Sequence, residues 1–157
     1  MPRIDLSAAP RRSGSGYPRP FDEPCLKRSW IELAKAAGLE LVGINLLTLP
    51  AGQWSSQRHW HLDEDEFVWI VSGEVVLVED GGETLLRAGD CAAWKAGVAD
   101  GHHLQNRGDR DAVILQVGNP TDEAREHVDY PDIDLIIRPG GEGYRRRDGT
   151  LYPPKAP

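Results

Sequence analysis

The residues best suited to chemistry lie in one stretch that runs from Gly52 through His59-Trp60-His61 and Glu66 to Gly73. In an extended strand alternate side chains share a face, so His59 and His61 project from the same side, about 7 Å apart along the backbone. Both imidazoles can therefore reach one ion. Leu62-Asp63-Glu64-Asp65 is polar enough to turn the chain, and Glu66 opens an apolar run, Phe67-Val68-Trp69-Ile70-Val71, that can return a carboxylate beside the pair. Two imidazoles and a carboxylate leave a divalent first-row metal short of ligands. Taken alone, the two histidines read better as surface or hydrogen-bonded core residues.

A further donor comes later in the chain. Gly89-Asp90 starts a strand that leads through Gly97 to Gly101-His102-His103-Leu104-Gln105-Asn106. Four residues of strand put His102 on the same face as Asn106, which favours His102 over His103. Together the two blocks resemble the two motifs of the cupin superfamily. The first has the family's glycine, His-x-His, glutamate and closing glycine at matching distances. The second keeps three residues between His102 and Asn106, but has Lys95 where the family usually has proline and Val98-Ala99-Asp100-Gly101 where it has two residues.

The resemblance covers residues 39 to 118. It implies one divalent ion (Fe, Mn, Zn or Ni) held by His59, His61, Glu66 and His102, with one or two positions open to water or substrate. Glu66 is then the leading catalytic base if the metal releases it. The alternative is a metal-free member whose histidines act as acid-base or hydrogen-bonding groups. The implied fold is all-β, a double-stranded β-helix or jelly roll closed as a β-barrel, and cupins of this size are often homodimers.

Size and charge bound the rest. A chain of 157 residues with 39% hydrophobic content suits one globular domain, and its 17 glycines and 12 prolines imply many turns. The formal charge of -7 argues against a general affinity for nucleic acid or anionic membrane. No run approaches a membrane span, and the N-terminus lacks the apolar core of a secretory signal, so a cytoplasmic location is expected. Cys25 and Cys91 do not suggest a disulfide framework; Cys91 reads as a buried free thiol in a core strand.

Residues 1 to 28 form an expected flexible arm, proline-rich and poor in large apolar side chains, free or laid on a partner. Residues 29 to 38 read as a short helix with Ser29 and Glu32 as a capping box and Gly38 as its stop. From Leu39 the pattern becomes strand-like, with about eight short strands up to Val117 and turn signals between them. Ser72-Gly73 reads as a hairpin joining Glu66–Val71 to Glu74–Glu79. Residues 119 to 157 form an extension packing on the barrel or a partner, with one or two helical turns over Thr121–His127 and a strand-like Asp134–Arg138.

Pocket walls are expected from Trp54, Trp69 and Trp94, with polar handles from Asn45, Gln57, His103 and Gln116. Asp63, Glu64 and Asp65 read as a solvated turn rather than ligands. Three functions follow from this reading. The first is a metal-dependent enzyme acting on a small organic molecule, as a dioxygenase, isomerase, lyase or hydrolase. The second is a non-catalytic small-molecule binding or sensing cupin, and the third a metal-free sugar epimerase or isomerase.

Overall fold

Alternation along the apolar strands decides which side of each turns inward. Leu47 and Leu49 of β3 (Gly43–Leu49), Val68 and Ile70 of β5 (Glu66–Ser72) and Ala112 and Ile114 of β10 (Ala112–Gly118) are all buried in one core. These strands join β1 (Arg11–Ser13), β2 (Ser29–Glu32) and β8 (Cys91–Trp94) in a six-stranded sheet of order β1-β2-β3-β10-β5-β8. Val75 and Leu77 of β6 (Glu74–Glu79), Leu86 of β7 (Gly82–Arg87) and Leu104 of β9 (His103–Gln105) close the same core from a three-stranded sheet, β7-β6-β9. A third sheet, β12-β11-β4, is built from β4 (Trp60–His61), β11 (Val128–Tyr130) and β12 (Leu135–Ile137). This computed structural model describes residues 3–120, 124–140 and 143–153. Among these residues no helix is long and apolar enough to cross a membrane.

The fold is the expected all-β jelly roll, but its sheets do not close into a barrel. The chain changes sheet at Gly73, because β5 pairs with β10 and β8 while β6 pairs with β7 and β9. Ser72-Gly73 is therefore a corner, not the expected hairpin. Gly73 sits at φ 78°, and a Cβ there would lie 2.9 Å from both the Asp111 carbonyl oxygen and the Ala112 Cα.

The predicted helix over 29–38 is mostly strand. Ser29–Glu32 pairs with β3 on one side and β1 on the other, so no capping box forms. Trp30 lies opposite Leu47 and Ile31 opposite Leu46, and this cross-strand burial overrides a weak helical propensity. Only α1 (Leu33–Ala37) is helical, and Gly38 ends it as expected, at φ 67°.

Residues 3–28 are not a free arm. Tyr17 and Cys25 are buried with Val128, Tyr130 and Leu135 in a second core that joins the two ends of the chain. Each large apolar side chain so buried contributes roughly 1.5–3 kcal/mol. The extension thus packs on the roll of its own chain. Within the helical turns expected over Thr121–His127, residues 121–123 lie outside the described residues and 124–127 carry no helix. Cys91 is exposed rather than buried, since it faces outward opposite Trp69.

Candidate metal centre

Backbone pairing assembles the site from separate strands. The His59 amide donates to the His102 carbonyl at 3.2 Å and the His102 amide returns a bond to the His59 carbonyl at 2.9 Å, fixing the two residues side by side. Glu66 opens β5 directly opposite Trp94 of β8 and Gly118 of β10. His59, His61 and Glu66 bring one ligand atom each within 4.8 Å of one another, a group that could hold a metal ion. His102 Nε2 lies 2.7 Å from Glu66 Oε2, and His61 Nε2 lies 3.9 Å from the same oxygen.

Each ring is aimed by a second contact. His59 Nδ1 donates to the Gln57 carbonyl at 2.9 Å and His102 Nδ1 to that of Asp100 at 3.0 Å, which turns both Nε2 atoms toward the group. The Trp94 ring stacks on His102 at 3.9 Å with 3° between the planes, and its indole N–H donates to Glu79. The Tyr130 ring stacks on His59 at 5.6 Å. Arg58 ties the strand before His59 to its surroundings, with a bidentate pair to Asp132 at 2.7 and 2.6 Å, a bond to Asp80 and one to the Gly101 carbonyl at 3.1 Å.

The electrostatics suit a cation. Burial pushes the His59 imidazole down to about 3, and the nearby Glu66 charge only partly opposes this. Burial lowers His61 as well, so both rings are neutral donors. Burial alone would raise the Glu66 carboxyl, but the His102 hydrogen bond and the three surrounding rings outweigh it and hold the group at about 2. Glu64 goes the other way: burial, then the charges of Glu66 and Glu126, push it up to about 8.

These residues fit a divalent ion. Donors about 2.1 Å from an octahedral ion stand roughly 3 Å apart along an edge, close to the 2.7 Å between His102 Nε2 and Glu66 Oε2. Imidazole nitrogens with one carboxylate are a set shared by several first-row metals, and they do not select one.

Of the expected residues, the structure brings His59, His61, Glu66 and His102 together and adds Trp94 as a wall. His103 points away from Glu66; it donates to the Ser56 carbonyl at 2.9 Å and meets the Trp54 ring at 4.8 Å. Trp54 therefore belongs to the second core and not to the pocket. Trp69 is on the outer face, 47% exposed, because parity from the inward Glu66 sends it outward. The Gln57 side chain donates to the Phe21 carbonyl at 2.6 Å, and only its backbone serves the site. Asn45 and Gln116 line a separate cavity of about 460 Å³.

Glu64, expected in a solvated turn, is also at the site. It lies beside His61, Oε2 to Nδ1 3.5 Å, on the wall of a cavity of about 840 Å³ that both residues line. A Cβ on Gly118 would run into its carboxylate. Its place three residues after His61, ahead of a ligating carboxylate, was the available signal.

Fold and site together define the class. The cupin domain family matches residues 45–118, and the chain belongs to the cupin superfamily. It is similar to a sugar phosphate isomerase of that superfamily from Silicibacter pomeroyi, 38% identical over 97% of each chain with a TM-score of 0.87. A protein of Acidithiobacillus ferrooxidans, provisionally named a sugar phosphate isomerase, is 26% identical over 82% of each chain with a TM-score of 0.71. A predicted oxalate decarboxylase of Thermotoga maritima, 23% identical over 76% of this chain and 99% of its own, shares the fold with a TM-score of 0.57. No curated protein matches the chain.

Proposed function

We propose that the protein is a metal-dependent isomerase of phosphorylated sugars. The observation that carries this reading is 38% identity over 97% of each chain to a protein named as a sugar phosphate isomerase, in a chain that also forms the His59, His61 and Glu66 group. The likeness to an oxalate decarboxylase, at 23% identity, concerns the fold alone.

Aldose–ketose isomerisation moves hydrogen within one molecule. A base takes the proton from the carbon beside the carbonyl, the C–H electron pair becomes the enediol double bond and the carbonyl oxygen gains a proton. The neighbouring hydroxyl then gives up its proton to become the new carbonyl as the double-bond pair takes a proton at the former carbonyl carbon. No oxidant or second substrate is consumed. A divalent ion held by these residues would supply Lewis-acid polarisation of the carbonyl.

Glu64 is the carboxylate placed to carry the proton. It lines the 840 Å³ cavity with His61 and stands outside the ligand group. Glu66, the base expected from the sequence, lies 2.7 Å from His102 Nε2 and belongs to the ligand group, so its place suits holding the ion.

The test is turnover of ribose 5-phosphate, glucose 6-phosphate and mannose 6-phosphate in D2O by metal-loaded, untagged protein, followed by NMR. Ketose formation with deuterium entering beside the carbonyl is expected. Glu64→Gln should lower kcat by about 10²- to 10⁴-fold with metal content unchanged. Neither ketose nor deuterium exchange with any of the three sugars would remove the reading.

A further inference from the structure

The two cavities have opposite charge. The larger, beside His61, is lined by Asp63, Glu64 and Glu126 against Arg125, a poor seat for an anion. The smaller, about 460 Å³, is lined by Arg12, Arg28, Trp30, Glu32, Asn45 and Gln116. Glu32 is already neutralised there by Arg12 at 2.9 Å and Lys35 at 3.5 Å. Arg28 spends Nε on the Gly14 carbonyl at 3.0 Å and Nη1 on that of Ser55, and forms no ion pair among the described residues. Its guanidinium lies 5.4 Å from the centre of the Trp30 ring and 5.8 Å from that of Tyr17, which hold it in place as a fixed cation.

The sheet register links this cavity to the metal group. Asn45 faces Glu32 on one side and Gln116 on the other, and Gln116 faces Val68. Glu66 lies two residues from Val68 on the same face, a diagonal step of about 7–8 Å from Gln116. The next cross-strand layer of that face is Gly43 and Gly118, which add no side chains of their own. The Asn45 and Gln116 carboxamides form no hydrogen bond within the protein among the described residues, leaving four N–H donors and two acceptor oxygens at the cavity they line.

We propose that the smaller cavity binds the anionic end of the substrate, a phosphate ester on a short polyhydroxylated chain. The phosphate sits against Arg28, the hydroxyls on Asn45 and Gln116, and the carbonyl end reaches toward Glu66 and Glu64. The assignment of the anion as a phosphate rests on the isomerase reading; the cation and the two carboxamides do not. Phosphate recognition by a preset guanidinium and hydroxyl recognition by carboxamides follow from their donor geometry.

The experiment has two arms. In the first, inorganic phosphate is titrated calorimetrically into metal-depleted full-length protein; Arg28→Met should weaken binding at least tenfold and Arg125→Ala should leave it within twofold. In the second, ribose 5-phosphate is titrated into metal-loaded Gln116→Met and Asn45→Leu proteins, which lose no internal hydrogen bond and should bind it at least fivefold more weakly. That arm holds even if Arg28→Met fails to fold. Wild-type protein that binds no phosphate, binding lost in Arg125→Ala but kept in Arg28→Met, or wild-type affinity for ribose 5-phosphate in both carboxamide variants would each overturn the assignment. Phosphate binding that depends on Arg28, in a protein that isomerises no sugar phosphate, would support the anion site and remove the isomerase reading. Turnover by Arg28→Met with unchanged KM would do the reverse.

Discussion

If the proposed centre holds a divalent ion, His61→Ala protein is expected to bind it at least about 100-fold more weakly than the wild type. Disturbing a residue that only orients a ligand costs 10- to 100-fold, and removing a donor costs no less. His61 is one of three residues whose ligand atoms lie within 4.8 Å of one another, and burial keeps it neutral, so its loss removes a donor that needs no deprotonation. Metal content by mass spectrometry measures the loss directly. A second readout comes from linkage, because an ion that binds only the folded chain raises its melting temperature. Adding metal should raise Tm in the wild type and leave His61→Ala unmoved. His103→Ala separates the ligand from its neighbour: His103 packs on Trp54 away from Glu66, so that variant keeps its metal even where it loses stability.

Gly73→Ala destabilises the fold by roughly 2–5 kcal/mol. A left-handed φ of 78° costs a residue with a Cβ about 1–2 kcal/mol. The added carbon would also stand 2.9 Å from the backbone of Asp111 and Ala112, and such overpacking costs about 1–3 kcal/mol more. Backbone cannot swing aside as a flexible side chain can. Denaturant unfolding followed by Trp fluorescence checks the value, and a change under about 0.5 kcal/mol would show that the corner between the sheets relaxes freely.

That corner also shows where the sequence was legible and where it was not. His59, His61 and Glu66 could be found because an i, i+2 pair needs only an extended backbone, and Glu66 begins the next apolar run. Ser72-Gly73 has the composition of a tight hairpin, and composition alone does not say whether the following strand pairs with the preceding one or leaves for another sheet. Trp69 was recoverable, since counting by twos from an inward Glu66 puts residue 69 outside. Glu64 was hidden for a different reason. Three consecutive acids read as solvated, and Glu64 is half-buried where β10 offers a bare glycine at 118 beneath it and Glu126 comes near from the extension.

The two ends of the chain were misread because their partners are far apart in sequence. Tyr17 meets Tyr130 at 5.7 Å and Tyr144 at 5.4 Å, contacts that no local pattern carries. The consequence reaches the site, because Tyr130 in turn stacks on His59 and the Gln57 amide donates to the Tyr17 hydroxyl at 3.2 Å. Strand β2 was misread in the same way: Ser29 and Glu32 have the spacing of a capping box, and the inward Trp30 decides for the sheet.

The most direct measurement is anomalous diffraction from crystals of untagged protein loaded with manganese, collected on both sides of the metal absorption edge. The account predicts one peak per chain, within bonding distance of His59 Nε2, His61 Nε2, His102 Nε2 and the Glu66 carboxylate. A peak bound elsewhere, or none between these four side chains in protein that carries stoichiometric metal, would contradict it.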